Sequence, residues 1–289
     1  MVITLKKLHS DLKIFLEQQN IENHQYESKL IIKHLIQNIV DADFILDREA
    51  KLNNDQINLL NEIKSRRSAG EPVSKIIGMN EFWGLEFKVS KHTLDPRPDT
   101  EILIEQVLRY CTDNKLIDSE LNILDIGTGT GCISIALLSE LKNSRVIATD
   151  ISKEALKIAR YNVENHKMQN RIELINCNYA DSITGKFDII VSNPPYISSD
   201  IITNLSKEVK NHDPILALDG GKDGLDPYRY ILNDIPRLIK PNGTVFFEIG
   251  YDQKKDILRL IDDVDVNRKS VHPDYAGNPR VVEISYGDK

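Results

Sequence analysis

"NILDIGTGTGCISIALL", Asn122–Leu138, decides the fold. A short apolar run ends at Ile126, Gly127, Gly129 and Gly131 alternate after it, and a helix-forming stretch starts near Cys132. Glycines there let the chain turn tightly and approach a ligand without Cβ atoms in the way. The helix that follows offers the amides of its first turn. The spacing is GxGxG rather than the GxGxxG of dinucleotide sites, and by itself it also suits a tight strand-to-helix turn with no ligand.

The next apolar run, "RVIATD", ends at Asp150, 19 residues beyond Gly131. Doubly wound folds place an acid there to accept hydrogen bonds from ribose hydroxyls. A helix cap is the competing use of such an acid, but Ser152 is available to cap the helix that begins in "TDISKEALKIA". Together the turn and the acid imply an adenosine-containing cofactor at the carboxyl ends of the strands.

Beyond it, "RIELINC", "FDIIVSN" and "GTVFFEIG" are further short apolar runs separated by helix-length sequence. This alternation predicts a parallel sheet covered on both faces by helices. Two more β-rich runs, around "DVDVNRKSVH" and "RVVEISY", have no full helix between them, so a closing hairpin brings the last strand in antiparallel.

The fourth of these strands runs into "IIVSNPPYISS", Ile189–Ser199. Two successive prolines remove two N–H donors and restrict φ, so the segment can neither extend the ladder nor begin a helix at once. Asn193 is thereby carried to the cofactor edge. Its side-chain oxygen and the Pro194 carbonyl are two acceptors suited to a planar NH2, Pro195 stiffens the loop, and Tyr196 supplies a flat apolar wall. A bare PPY is as well explained by a strand stop with a buried tyrosine; its position after the glycine turn and the acid makes it a clamp.

Ahead of residue 98 the texture differs. Leu5, Leu8, Leu12 and Phe15, then Leu30, Leu35 and Ile39, then Ile57, Leu60 and Ile63 recur at helical spacing. These predict a small helical domain over 1–78, a β-hairpin linker over 79–97, where Gly78 and Gly84 punctuate "EFWGLEFKVS", and a catalytic domain over 98–289.

With 289 residues, 40% hydrophobic and 28% charged, the chain can bury a sizeable core. No segment approaches the roughly 18 apolar residues of a membrane span and the first residues lack a signal-peptide core, so a cytoplasmic protein is expected. Cys111, Cys132 and Cys177 stand apart without zinc-site spacing, and no metal is expected. The net charge of −7 disfavours a stable nucleic-acid partner. Residues 1–80 are balanced, with 11 Lys and Arg against 11 Asp and Glu, although Lys64, Arg66 and Arg67 could form a local basic patch.

Gly127–Gly131, Asp150 and the NPPY segment together resemble the Rossmann-like, seven-stranded S-adenosylmethionine-dependent methyltransferases that modify planar amino or amide nitrogens. That motif is shared by nucleic-acid amino-methyltransferases and protein glutamine methyltransferases. "GEPVSKIIG", "EFWGLEFKVSKHTLDPRPDTE", "DPILALDGGKDGLDPYR" and "AGNPRVV" are similar to segments of the bacterial release factor glutamine methyltransferase family, over nearly the whole chain. Lys75 stands where the family usually has a tyrosine, and Asn178 and Tyr179 where many members have an aspartate-tryptophan pair. The resemblance implies S-adenosylmethionine held by Gly127, Thr128, Gly129, Thr130, Gly131, Asp150, Asn178, Tyr179 and Asn193. It implies that Asn193, Pro194, Pro195 and Tyr196 receive the glutamine of the Gly-Gly-Gln motif in class 1 release factors, and that Asn193, Pro194 and Tyr196 act in catalysis. A monomer with no membrane association is expected. Arg97, Thr100 and Glu101 are expected at the mouth of the site, although Pro98 at a helix start with Asp99 and Glu101 in its first turn is equally ordinary helix-terminus chemistry. Glu248, near the end of the fifth strand, is expected at the site's edge or in a structural role.

Overall fold

A computed structural model describes residues 2–287, in two compact units that divide between Gly78 and Met79. The first contains β1 (Val2–Thr4), α1 (Leu5–Gln18), α2 (His24–Leu35), α3 (Asp41–Ile45), β2 (Glu49–Lys51), α4 (Asn54–Ser68) and α5 (Val73–Ile77). Its core joins Leu5, Leu8 and Leu12 to Ile31, Ile32, Phe44 and Ile63. Leu16, rather than Phe15, completes the buried stripe of α1, and α2 ends at Leu35, short of Ile39. Asn53 and Gln56 form a reciprocal capping box at the start of α4, with bonds of 2.8 and 2.9 Å. The antiparallel pairing of β1 with β2 was not legible, because three-residue strands carry no usable period.

The basic patch does not materialise. Arg67 is buried in a two-pronged pair with Glu27 at 2.8 and 3.1 Å, Arg66 holds Glu71 at 2.8 and 2.7 Å, and Lys64 lies over the Phe15 ring. Lys75 is half-buried in α5.

The second unit opens with the hairpin of β3 (Met79–Phe82) and β4 (Leu85–Lys88), followed by a 3-10 turn at Pro98–Thr100 and α6 (Glu101–Asp113). Then come β5 (Asn122–Ile126), α7 (Cys132–Glu140), β6 (Arg145–Asp150), α8 (Lys153–Asn165), β7 (Ile172–Asn176) and β8 (Phe187–Ser192). Two short helices, α9 (Ser199–Ile202) and α10 (Lys207–His212), precede α11 (Asp226–Leu238), β9 (Ile239–Glu248), α12 (Lys254–Asp262), β10 (Arg268–Pro273) and β11 (Pro279–Ser285). The sheet order is β10-β11-β9-β8-β5-β6-β7. Strands β5 to β9 are mutually parallel, and the closing hairpin inserts β11 antiparallel beside β9, leaving β10 at the edge.

Both faces are covered, and the period of two shows it. Ile123, Ile189, Val191 and Phe246 pack with α6 and α7, while Leu124, Ile126, Ile190, Val245 and Phe247 pack with α11 and α12. Helix α7 is apolar all round and buried on nearly every side, as a helix between a sheet and further helices must be. Among the described residues, no helix is long and apolar enough to cross a membrane.

Candidate active site

Chain order reverses between β5 and β8, the switch point at which open α/β sheets bind ligands beyond their carboxyl ends. Register then places the chemistry in one row. Ile126 is level with Thr149 on β6 and Ser192 on β8, and Ser192 is level with Phe247 on β9. The next residues, Gly127, Asp150, Asn193 and Glu248, therefore emerge along a single edge.

A cleft of about 220 Å³ opens there. Its lining includes Gly127, Thr128, Gly129, Thr130, Asp150, Asn178, Tyr179, Asn193 and Pro195, together with the 92–97 segment and Thr100. Three residues that the sequence puts at the site lie differently in space. The Pro194 ring is buried and the Tyr196 ring packs against the core, so neither is in the lining, while the Pro194 carbonyl lies between the lining residues Asn193 and Pro195. Burial pushes the Tyr196 hydroxyl up to about 12. Glu101 is not in the lining either, since its carboxylate accepts the Trp83 N–H at 2.8 Å and so ties the hairpin to α6.

The glycine turn works by division of labour. Gly127 and Thr128 donate their amides to the Thr149 carbonyl at 2.9 and 2.8 Å. Gly129 donates to Asp150 Oδ2 at 2.9 Å. All three glycines have positive φ, and Cβ atoms built on Gly127 and Gly129 would meet nothing within 4 Å. A Cβ on Gly131 would instead sit 3.5 Å from Ala159 Cβ, so the third glycine serves the approach of α7 to α8. Asn162, fully buried on α8, fixes the turn from behind by donating to the carbonyls of Thr130 at 2.9 Å and Lys88 at 3.0 Å.

Ser152 caps α8 by accepting from Ala155 N at 3.1 Å, as its position suggested. Asp150 is nevertheless not idle, because its Oδ1 accepts the Ser152 N–H at 2.8 Å while its Oδ2 holds Gly129. Each carboxylate oxygen keeps a second acceptor site. Burial raises the Asp150 pKa, and the two amide bonds oppose the rise.

Asp125 escaped sequence reasoning. It is fully buried on β5 beneath the turn, and its Oδ2 accepts from Thr128 and Ser134 hydroxyls, both at 2.6 Å. Its Oδ1 has no partner among the described residues, and desolvation lifts its pKa to about 6. The available signal was an acid inside an otherwise apolar strand, "NILDI".

Asn178 and Tyr179 both reach the cleft. Tyr179 has φ +44°, its carbonyl accepts from Thr149 Oγ1 at 2.7 Å, and its ring stacks on Tyr230 with centroids 5.5 Å apart and planes 19° from parallel. A ring so placed offers a flat face to a planar ligand.

Asn193 lines the cleft and donates from Nδ2 to Thr100 Oγ1 at 3.2 Å, which leaves its Oδ1 to accept. The loop after it is braced from two other segments. Gln253 donates to the carbonyls of Tyr196 at 2.9 Å and Gly224 at 3.1 Å, while Ile197 exchanges backbone bonds with Leu218 and Gly220 at 3.0 and 2.8 Å. Across the mouth, Arg97 Nη2 reaches Asp213 Oδ2 at 2.7 Å. Glu248 is 2% exposed, and burial drives its carboxyl to about 7. Burial raises all three thiols, those of Cys111 and Cys132 to about 12, so none of them is poised as a nucleophile.

The residues fit a cationic, adenosine-bearing cofactor. Gly127 and Gly129 of the turn face open space, Asp125 and Asp150 lie below and beside it, and the flat Tyr179 ring belongs to the same lining.

Comparison with known proteins agrees. Residues 90–211 match the methyltransferase small domain and residues 8–78 the PrmC N-terminal domain. The release factor glutamine methyltransferase of Agrobacterium fabrum is 44% identical over 241 residues, 83% of each chain. A bifunctional methyltransferase of Rickettsia conorii is 35% identical across 99% of this chain, which spans 58% of that longer protein. Among solved structures, the hMettl16 catalytic domain in complex with a MAT2A 3'UTR hairpin superposes with a TM-score of 0.58 at 14% identity over 91% of both chains, a likeness of fold alone. With its fold, its cleft and its relatives in agreement, this methyltransferase belongs to the release factor glutamine methyltransferase family.

Proposed function

We propose that the chain methylates the side-chain amide nitrogen, N5, of the glutamine in the Gly-Gly-Gln motif of class 1 peptide chain release factors, with S-adenosylmethionine as donor. The observation that carries this reading is the Asn193 amide, whose nitrogen is bound to Thr100 and whose oxygen is thereby the acceptor at the cleft. Such an acceptor suits an incoming NH2 and not a carbonyl. The family supplies the glutamine.

S-adenosylmethionine, when bound, supplies an electrophilic methyl group and a positive charge. Gly127 to Gly131 and Asp150 would hold its amino-acid and ribose portions, with Asn178 and Tyr179 beside the adenine. An amide nitrogen is a weak nucleophile because its lone pair is delocalised, so the protein acts chiefly by positioning. Asn193 Oδ1 and the Pro194 carbonyl take the two N–H bonds, favour a pyramidal nitrogen, and stabilise the positive charge that develops on it. Pro195 and Tyr196 keep the loop rigid, and the proton leaves to water. Residues 1–78 would recognise the substrate protein, 79–97 would link, and 98–289 would carry the chemistry.

The test is to incubate the protein and methyl-labelled S-adenosylmethionine separately with a class 1 release factor, with the same factor carrying Gln→Ala in its Gly-Gly-Gln motif, and with an RNA or DNA duplex. Label on the unaltered factor alone is expected; label on nucleic acid alone would overturn the reading.

A further inference from the structure

The direction of the Asn193 amide decides whether the site accepts from an NH2 or donates to a carbonyl, and Thr100 by itself cannot set that direction. A hydroxyl accepts from Nδ2 as readily as it donates to Oδ1. Something must dictate where the Thr100 proton goes.

Glu248 lies behind both residues. It ends β9 one strand from Asn193, is 2% exposed, and its carboxylate is faced by the Thr100 hydroxyl and the Asn193 amide, while Oε2 has no partner among the described residues. An ionised carboxylate only accepts. It therefore favours donors on its side, the Thr100 hydroxyl and the Asn193 NH2 alike, which leaves Thr100 Oγ1 to accept from Asn193 Nδ2, at 3.2 Å, and keeps Asn193 Oδ1 as the free acceptor.

We propose that Glu248 is a positioning residue that sets the acceptor face of Asn193, through the Thr100 hydroxyl and the Asn193 NH2 that it faces. The proposal rests on the reading of Asn193 as the acceptor of the substrate amide. A protonated Glu248 can donate to Thr100, the chain of donors loses its single direction, and the acceptor face is no longer fixed.

The switch falls in the neutral range because burial, more than any neighbour, lifts this carboxyl to about 7. The charged and titratable groups around it are Arg280 on β11, Asp99 in the 3-10 turn, Tyr196 in the loop, Tyr228 on α11 and Cys132 on α7. Burial holds both tyrosines and the thiol far above neutrality, and Arg280 is paired with Asp99 and with Asp274 at 3.0 Å. The carboxyl of Glu248 is thus the member of this cluster that titrates near pH 7.

Two measurements test it. In the wild-type protein without substrate, the Asn193 side-chain amide resonances, assigned by their loss in Asn193→Asp, should shift with a midpoint near pH 7 and should not do so in Glu248→Gln. This readout does not depend on which substrate the enzyme uses. In turnover with a release factor, Glu248→Gln should lower kcat about 10- to 100-fold with the affinity for S-adenosylhomocysteine kept within about twofold, and should abolish the fall in kcat below about pH 7. Glu248→Asp, still acceptor-only when ionised, should recover part of the loss. Wild-type protein that titrates as stated but leaves release factors unlabelled would refute the proposed substrate and keep the role of Glu248. An Asn193 amide insensitive to pH between 5 and 9, or a Glu248→Gln enzyme with wild-type kcat and pH profile, would overturn it.

Discussion

Gly224 offers a sharp test of how the loop after Asn193 is held, because it lies 28 residues beyond Tyr196 in sequence and touches it in space. A Cβ on Gly224 would sit 2.4 Å from the Tyr196 carbonyl oxygen and 2.8 Å from Gln253 Nε2. Backbone and a buried hydrogen-bonded amide are the obstacles, so relief requires moving the loop itself. The residue also has φ +75°, which costs a non-glycine residue about 1–2 kcal/mol. Displacing Tyr196 weakens the 2.9 Å bond from Gln253, worth about 1 kcal/mol. Gly224→Ala should therefore destabilise by about 3 kcal/mol, which lowers Tm by about 6–12 °C for a domain of this size. The same displacement moves the Pro194 carbonyl, and a shift of about 1 Å at a reacting centre costs about 100-fold in rate. S-adenosylhomocysteine binding, at the other end of the cleft, should stay within about threefold. Differential scanning calorimetry, titration calorimetry and methyl transfer to a release factor read the three quantities. A Gly224→Ala protein with wild-type Tm and turnover would show that the contact does not hold the loop, and the argument would fail.

Two further outcomes follow from the acids beside and beneath the glycine turn. Asp150→Asn places an NH2 against either Gly129 N or Ser152 N, now 2.9 and 2.8 Å from the carboxylate, and should weaken S-adenosylhomocysteine binding by roughly 2–3 kcal/mol, or roughly 30- to 150-fold; affinity within threefold of wild type would exclude Asp150 from the cofactor site. Asp125, raised by burial to about 6, binds its proton more tightly in the folded chain than in the unfolded one, so its contribution to stability is full below about pH 4 and is lost as pH rises to 6. The advantage of wild type over Asp125→Asn in urea unfolding should shrink by up to about 3 kcal/mol across that window, and a difference independent of pH would refute the raised pKa.

The fold was legible where a local period or a special backbone residue dictates it. Alternating strands and helices, the glycine turn at Gly127–Gly131 and the proline stop after Asn193 are all statements about neighbours in sequence. The place of Asp150 and Asn193 in the cleft lining was legible to the same depth, because a parallel strand must deliver its end to the carboxyl edge of the sheet. Pairings over long separations were not. Asn193 meets Thr100 across 93 residues, Gln253 meets Tyr196 across 57, and Arg97 meets Asp213 across 116. Such partners share no period, and only the register of β5, β8 and β9 brings them together. Of the two readings of Glu101, the mouth of the site and the first turn of a helix, the second is the one found: it begins α6 and accepts the Trp83 amide.

What separates an amide in a protein from an amine on a base is the approach to the cleft more than the clamp. A flipped base arrives with phosphates, and phosphates need cations at the mouth. Arg97 is the only arginine or lysine among the described lining residues, and Asp213 neutralises it at 2.7 Å, while Asp95 and Asp150 make the lining acidic. Along the same rim, Ile215 and Leu216 are 60% and 56% exposed beside Pro214 and Ala217, which line the cleft. Under the proposed function, an acidic cleft with an apolar lip suits an uncharged peptide better than a phosphodiester. A glycine-rich loop that presents a single glutamine matches those conditions, because glycine adds neither charge nor bulk.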